Sequence, residues 1–405
     1  WLQGEPGHDA DGREYGGSAD DPFGDTIRWN QSRAAKCRLL EVRGKLPDEV
    51  TCPETGVVFK TGKEGGTVPK KSNFACGACG KTQDILDSMK MLGKNGPVAM
   101  YAIQGYCPEC HTEGQLYGGR FFIPVGDSAT FDAALREWKV RKDVDLKEYW
   151  PQSEVPYGFM TGIANGDIRT GHGFTHWWKM FNPRQLISLT LLLKAIYQEE
   201  QNWEVREFIL GSFQQYLRNQ NMFCFWDVGY DKLVPHMSNN NYHPKSNLVE
   251  NCVFPDLGRG NWQSCTDAML TTVAWMMKPW ELVRNERLSA TKPDLVHYLK
   301  GKSEKVSPGD PVLNSAVLAC TSSTELTSES NTSYDLVITD PPFGGLLHYS
   351  ELADFFYVWL RLALKDKYPD YFSAEYTPKT LEAVANRARQ PGKDKESNKY
   401  NADIF

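Results

Sequence analysis

Two consecutive prolines, Pro341 and Pro342, set the strongest local constraint in this sequence. Proline has no amide hydrogen and a fixed φ, so the pair fits neither the interior of a helix nor the middle of a sheet. Just before it stands Tyr334-Asp335-Leu336-Val337-Ile338-Thr339-Asp340, whose Leu336, Val337 and Ile338 predict a short buried strand. Just after it come Phe343, Gly344 and Gly345, then a helical pattern from Ser350 to Leu362. Leu352, Phe355, Phe356, Trp359 and Leu362 fall on one face, with Ser350 placed as the N-cap. The order is strand, rigid turn, helix. It leaves the Asp340 carboxylate at the carboxyl end of a strand, where open α/β sheets bind their ligands.

Asp340-Pro341-Pro342-Phe343 resembles motif IV, D-P-P-[YF], of the amino-group DNA methyltransferases that use S-adenosylmethionine. The chemistry gives each residue a task. An exocyclic amino nitrogen is a poor nucleophile because its lone pair is delocalised into the base. A carboxylate such as Asp340, helped by the Pro341 carbonyl, can accept the amino protons and free that lone pair. Phe343 would stack on the base once it is swung out of the duplex. The plainer reading of Asp-Pro-Pro is a turn that only ends a strand.

A chain of 405 residues allows two or three domains with cores of their own. The net charge of −6 gives no bulk support to nucleic-acid binding, which would need a local basic patch. No apolar run reaches membrane-spanning length, since the longest, Leu186 to Ile196, contains Ser188, Thr190 and Lys194. No signal-peptide pattern is recognisable in the sequence, although it does not begin with methionine. The sequence runs from Trp1 to Phe405 without an opening methionine or a closing element, which reads as part of a larger protein.

Of the ten cysteines, four form two Cys-x-x-Cys pairs, Cys76-Gly77-Ala78-Cys79 and Cys107-Pro108-Glu109-Cys110. With no secretory signal, metal binding in a reducing cytoplasm explains them better than disulfides. Each pair looks like a knuckle whose amides point at thiolate sulfurs, and two knuckles supply four soft ligands for tetrahedral Zn²⁺. Four cysteines leave no open position, so the zinc reads as structural. A redox pair or plain buried thiols are the other readings. Asp84 to Met91 fits a helix between the knuckles. Cys52-Pro53-Glu54-Thr55-Gly56 is half a knuckle with Thr55 in the second place, and Cys52, Cys37 and His111 are spare ligand candidates. Between Cys52 and His111, seven lysines against five acids permit phosphate contact without requiring it.

The remaining divisions follow composition. Residues 1–49 form an irregular segment, 50–126 a zinc-ribbon insertion, 127–310 a helical and loop-rich region, and 311–405 the part carrying the Asp340 turn. Asp21-Pro22-Phe23-Gly24 is not a cofactor-binding turn, because only one glycine follows. In the third region, helices are expected around Phe131 to Trp138, from Arg184 to Gln198 after Asn182-Pro183, from Trp203 to Arg218, and from Thr266 to Met277. The Trp203 helix should turn Val205, Phe208, Ile209, Phe213 and Tyr216 inward. Trp177 and Trp178 read as core before base-stacking residues, and His172 and His176 as loop histidines between glycines. The long loop through Asn239-Asn240-Asn241-Tyr242 is either an ordinary connection or a segment that touches DNA or a flipped base. Val312 to Ala319 reads as a strand, and residues 373–405 as a polar tail.

Taken together, the two knuckles, the Gly173-to-Leu186 segment (Gly-Phe-Thr-His-Trp-Trp-Lys-Met-Phe-Asn-Pro-Arg-Gln-Leu) and the Asp-Pro-Pro-Phe turn resemble one family, from about residue 50 onward. It is the Zn-ribbon-containing adenine-specific DNA methylases of prokaryotes, often found in phage-defence neighbourhoods. The resemblance implies an α/β fold with a partial Rossmann-like methyltransferase sheet and an inserted zinc ribbon. It implies Asp340, Pro341, Pro342 and Phe343 as the catalytic motif and Cys76, Cys79, Cys107 and Cys110 as zinc ligands. It also implies S-adenosylmethionine and Zn²⁺ as cofactors, and DNA and other defence proteins as partners in the cytoplasm. The Gly-rich motif I that holds S-adenosylmethionine in such enzymes is missing here, so this chain alone is expected neither to bind the cofactor well nor to methylate. Two readings stand beside it. One is a methyltransferase acting on cytosine N4 or an RNA base; the other is a zinc-ribbon nucleic-acid-binding subunit in which Asp340 is inert.

Overall fold

Asn182 and Pro183 start a long helix by two separate devices. The Asn182 side chain accepts the Gln185 amide while Gln185 Oε1 accepts the Asn182 amide, both at 3.0 Å, a reciprocal capping box. Pro183 fills the first helical position, where no amide is needed. The computed structural model describes residues 39–40, 45–53, 56–61, 73–75, 81–84, 98, 100–125, 129–164, 166–227, 230, 232–238, 240–245, 247–253, 258–284, 295–300, 311–312, 316–317, 334–340, 344–380 and 382–389. Among them the helices are α1 (Pro108–Thr112), α2 (Ala129–Arg141), α3 (Pro183–Glu199), α4 (Trp203–Asn219), α5 (Trp262–Met277), α6 (Tyr349–Leu364) and α7 (Pro369–Phe372). Short 3₁₀ and π turns lie between them, including Phe159–Ile163 and Trp177–Met180. No described helix is long and apolar enough to cross a membrane.

The strands form hairpins. β1 (Glu49–Thr51) pairs with β2 (Val58–Lys60), β3 (Asn73–Ala75) with β4 (Thr82–Asp84), and β5 (Ala102–Tyr106) with β6 (Arg120–Pro124). β7 (Phe225–Asp227) pairs with β8 (Lys232–Val234), β9 (Trp280–Arg284) with β10 (Leu295–Lys300), and β11 (Pro311–Val312) with β12 (Ala316–Val317). Every ladder among the described residues is two-stranded and antiparallel. The chain is thus a mixture of helices and small antiparallel sheets, and the parallel methyltransferase sheet expected after residue 311 is not formed among these residues. Two local reasons are visible. The expected strand from Val312 to Ala319 folds back on itself, Val312 pairing with Ala316. Leu336, Val337 and Ile338 pair with no described strand and are 74%, 75% and 85% exposed, so they are an open segment and not a buried strand.

The core is helical and draws on sequence from Phe131 to Ala363. Phe131, Leu135 and Trp138 of α2 meet Leu186, Leu189 and Leu193 of α3, then Leu210, Phe213 and Tyr216 of α4 and Phe355 and Trp359 of α6. Rings join these elements. Phe181 stacks on Phe355 at 5.7 Å and meets the Trp359 edge at 5.3 Å, and Phe213 meets the other side of Trp359 at 6.0 Å. Each such ring removes about 150–250 Å² from water, and the pair geometry adds to that burial. Residues on both sides of position 310 therefore share one core. Trp177 is fully buried, in line with its reading as core.

Two expectations for the helices are corrected. On α4, Val205 and Phe208 are exposed, and the buried stripe runs through Arg206, Leu210, Phe213, Tyr216 and Leu217. Arg206 reaches its place by spending its guanidinium on the Glu200 carbonyl and on the Trp203 ring at 4.3 Å. On α6, the N-cap is His348, and Ser350 lies inside the first turn, its amide and hydroxyl both donating to the Glu382 carboxylate at 2.8 and 2.6 Å. A carboxylate at a helix N-terminus satisfies free amides and complements the dipole. The segment expected to be a polar tail thus folds back over α6 as far as Arg389, whose guanidinium pairs with Glu382 at 2.6 Å.

Candidate functional site

Asp340 ends the open segment and is exposed. Pro341, Pro342 and Phe343 lie outside the described residues. The chain re-enters at Gly344, in the left-handed region at φ 57°, and Leu346 and Leu347 then form one wall of a pocket of about 450 Å³. Phe159, Met160 and Ala164 make a second wall and Asn240 and Asn241 a third. The described lining residues supply one aromatic ring, apolar side chains and two carboxamides, and none of them is charged. That composition suits a flat, neutral, hydrogen-bonding molecule.

Three sequence-distant walls need a common anchor, and Glu351 in the first turn of α6 supplies it. Its buried carboxylate accepts the Phe159 amide at 3.2 Å, the Met160 amide at 2.8 Å and the Asn386 side-chain amide at 2.5 Å. A buried carboxylate with three N–H donors is well held. Gly158 is required beside it, since a methyl group on Gly158 would lie 2.5 Å from Glu351 Oε2. The loop bearing Asn240 and Asn241 is tied to the same residue through the backbone. Buried Tyr242 donates its hydroxyl to the Glu351 carbonyl at 2.7 Å, with the Leu352 carbonyl at 3.3 Å. The Leu346-Leu347 wall leads into α6 directly. Glu351 therefore fixes the pocket's three sides to one helical turn.

His348 backs the aromatic wall. It is fully buried, and its ring stacks on Phe159 at 4.3 Å and 28°. Burial holds the imidazole below its ordinary pKa, although Glu351 and Glu382 are near and pull the other way. The neutral ring is an apolar support for Phe159. Deeper in the same turn, Asp354 accepts from the Thr377 amide and hydroxyl at 2.9 and 2.6 Å and from Lys379 at 3.0 Å. Burial raises its carboxyl above the usual range in spite of the Lys379 ammonium. The loop wall carries backbone strain, with Met237 at φ 62° and Asn240 at φ 51°. Asparagine tolerates that region, while a bulky residue such as methionine seldom enters it unless surroundings enforce it.

Each Cys-x-x-Cys pair follows a strand in the chain. β3 ends at Ala75, directly before Cys76, and β5 ends at Tyr106, directly before Cys107. Cys76 and Cys79 lie outside the described residues, and among those described no cluster of three or more His, Cys, Asp or Glu is placed to hold a metal. Cys107 caps α1, and the Cys110 amide donates to its sulfur at 3.4 Å. That amide and the neighbouring thiol lower the Cys107 pKa, while the bond to Cys107 raises that of Cys110. Two neighbouring thiols with an amide aimed at one sulfur have the donor chemistry that half of a four-cysteine zinc site would need. Buried Cys52 starts a similar turn between β1 and β2, where its amide reaches the Val57 carbonyl and its carbonyl takes the Gly56 amide, both at 2.9 Å. The His111 Nδ1 is engaged with the Gly118 carbonyl at 3.0 Å.

No family model matches the chain, and comparisons with curated proteins and with solved structures return no match. Of the residues singled out from sequence, the structure places Asp340 six positions before the pocket wall and the loop asparagines in that wall. It also brings in residues that sequence reasoning passed over: Phe159, Met160, Leu346, Leu347, His348 and Glu351. Phe159 and Met160 close the turn-rich stretch Val155-Pro156-Tyr157-Gly158-Phe159-Met160, which is their one signal in the sequence.

Proposed function

We propose that this chain carries the base-binding and catalytic-turn part of an S-adenosylmethionine-dependent N6-adenine DNA methyltransferase. The observation that carries the reading is the pocket walled by Phe159, two asparagines, Leu346 and Leu347, the last two following Asp340 by six and seven positions in the chain. A flipped purine would lie on the aromatic face, its edge toward the carboxamides. Asp340 and the Pro341 carbonyl would accept the amino protons and so make the nitrogen lone pair available. The described residues do not build a site for S-adenosylmethionine, since no Gly-rich strand-to-helix turn occurs among them. The chemistry assigned to this chain stops at holding the base and its amino protons. Cys76, Cys79, Cys107 and Cys110 would hold one Zn²⁺ in a zinc ribbon, a structural role.

The test is product analysis. The natural protein, incubated with DNA and methyl-labelled S-adenosylmethionine, should form N6-methyladenine, and Asp340→Ala should lower the rate by about 10²- to 10⁴-fold. Label appearing in N4-methylcytosine or in RNA would move the target to those bases. Methylation untouched by Asp340→Ala would refute the role of the turn and favour a zinc-ribbon nucleic-acid-binding subunit.

A further inference from the structure

Past its first turn, α5 is an apolar helix with one side left open. Its extensive neighbour among the described elements is α4, which runs antiparallel beside it. Tyr216 meets Trp262 at 5.8 Å, and a methyl group added to Gly211 would come 2.8 Å from the Met269 side chain. On the side turned away from α4, Leu270 is 66% and Met277 60% exposed, with exposed Ala274 between them. Steps of four and three residues put all three on one face. The antiparallel packing sets the start of α4 beside the end of α5, and there Val205 and Phe208 are exposed as well. These side chains bring the patch to the upper end of the roughly 300–600 Å² that a monomer ordinarily shows.

Two charges decide what fits this face. Asp267 and Lys278 are both exposed and stand eleven positions apart, close to three full helical turns, so they flank the apolar stripe on the same side of α5. Asp267 accepts the Gln263 side-chain amide at 2.7 Å, and neither charge has an ionic partner among the described residues. An acid at one end of a stripe and a base at the other is self-complementary. We propose that the chain forms a two-fold dimer through this face, α5 packing antiparallel on α5 of a second copy. With the axis near Thr272 and Val273, Asp267 of each copy reaches Lys278 of the other, Leu270 meets Met277, and Ala274 is small enough to let the helices approach. Antiparallel helix dipoles also favour this arrangement. With Gln263 and Thr271 at its edges, the face approaches the ~800 Å² that each partner of a stable complex buries. A nucleic acid would require an excess of cations, and here one lysine is balanced by one aspartate. The dimer does not depend on the base-pocket reading.

The test is sedimentation equilibrium of the full chain over a wide dilution series, with circular dichroism as the check on folding. The wild type should show a reversible monomer–dimer equilibrium. Leu270→Glu places a charge in the apolar stripe of both copies and should raise the dimer Kd about thirtyfold or more. Asp267→Lys sets like charges against each other at two symmetric places and should raise Kd about fivefold or more, as should Lys278→Asp. The double variant Asp267→Lys with Lys278→Asp restores both pairs in exchanged order, and its Kd should return to within about twofold of wild type. Because all three positions are exposed, the charge exchange remains readable even if Leu270→Glu fails to fold. A wild type that stays monomeric at every concentration would overturn the dimer, and so would a monomer that uses this face to bind lipid vesicles or DNA. A dimer indifferent to Leu270→Glu, or one that the double variant does not rescue, would overturn the antiparallel α5 pairing.

Discussion

Glu351→Ala is the sharpest test of how the pocket is held together. The substitution removes one acceptor from three donors: the Phe159 amide at 3.2 Å, the Met160 amide at 2.8 Å and the Asn386 side chain at 2.5 Å. Met160 and Asn386 are buried, while Phe159 is half-buried and water can reach its amide. Two orphaned buried donors at about 1–3 kcal/mol each give about 2–6 kcal/mol of destabilisation. That is a large part of the roughly 5–15 kcal/mol that holds a domain folded. Glu351→Gln keeps the volume and one acceptor oxygen but sets an amide group against an N–H donor, so about half that loss is expected. Urea unfolding followed by tryptophan fluorescence measures both, and hydrogen exchange at Phe159 and Met160 should accelerate in the glutamine variant before exchange in α3 changes. Gly158→Ala attacks the same carboxylate from the other side, its methyl group 2.5 Å from Glu351 Oε2, and should speed exchange at the same amides. An alanine variant within about 0.5 kcal/mol of wild type would refute the reasoning, because a surface substitution does as little.

Three further outcomes are expected. Burial pushes the His236 imidazole down to about 3, so between pH ~6.5 and that value the unfolded chain binds a proton that the folded chain refuses. Stability should then fall as pH falls, by up to about 1.4 kcal/mol per pH unit; His236→Phe should flatten the slope measured by urea titration, and an unchanged slope would remove His236 as its source. Zinc measured by plasma mass spectrometry should approach one per chain and be lost in Cys107→Ser but kept in Cys265→Ser, a thiol buried beside α4; metal-free protein or metal retained without Cys107 would contradict the knuckle reading. Asn241→Leu should raise the thermal midpoint of the free protein, since it removes a buried acceptor without a partner, and a lowered midpoint would mean that the amide is satisfied in solution.

The parts of the fold legible in the sequence are those whose cause is local. Asn182-Pro183 announced α3 because cap, proline and Gln185 lie within four residues. The α6 stripe through Phe355 and Trp359 was legible from spacing alone. Val205 and Phe208 misled because α4 offers two overlapping apolar stripes, and the neighbour that decides between them is chosen by tertiary packing. Ser350 looked like a cap because the acceptor that serves the α6 amides, Glu382, comes 32 positions later. Leu336 to Ile338 looked buried because β-branched composition reports compatibility with a sheet and says nothing about whether a partner strand is alongside. The pocket was hidden for the same reason on a larger scale, its hydrogen bonds to Glu351 spanning 192 and 109 positions. Positive φ at Met237 leaves no trace in composition at all.

Among the described residues, the buried polar atoms without a hydrogen bond include ring nitrogens and a carboxamide oxygen, which differ in what their side chains recover by packing. His236 has both ring nitrogens unpaired, yet it is enclosed by Phe223 at 4.8 Å, Phe355 at 4.7 Å and Tyr242 at 5.3 Å. Trp177 and Trp359 likewise leave their indole nitrogens unpaired inside the aromatic core. No ligand can relieve these groups without dismantling the core, and their ring faces recover through packing what the nitrogens forgo. Asn241 differs because it has no ring to stack, so its enclosed Oδ1 recovers less by packing than a ring nitrogen does. The unpaired acceptor is therefore a cost to the free protein that an apolar side chain of similar size would remove.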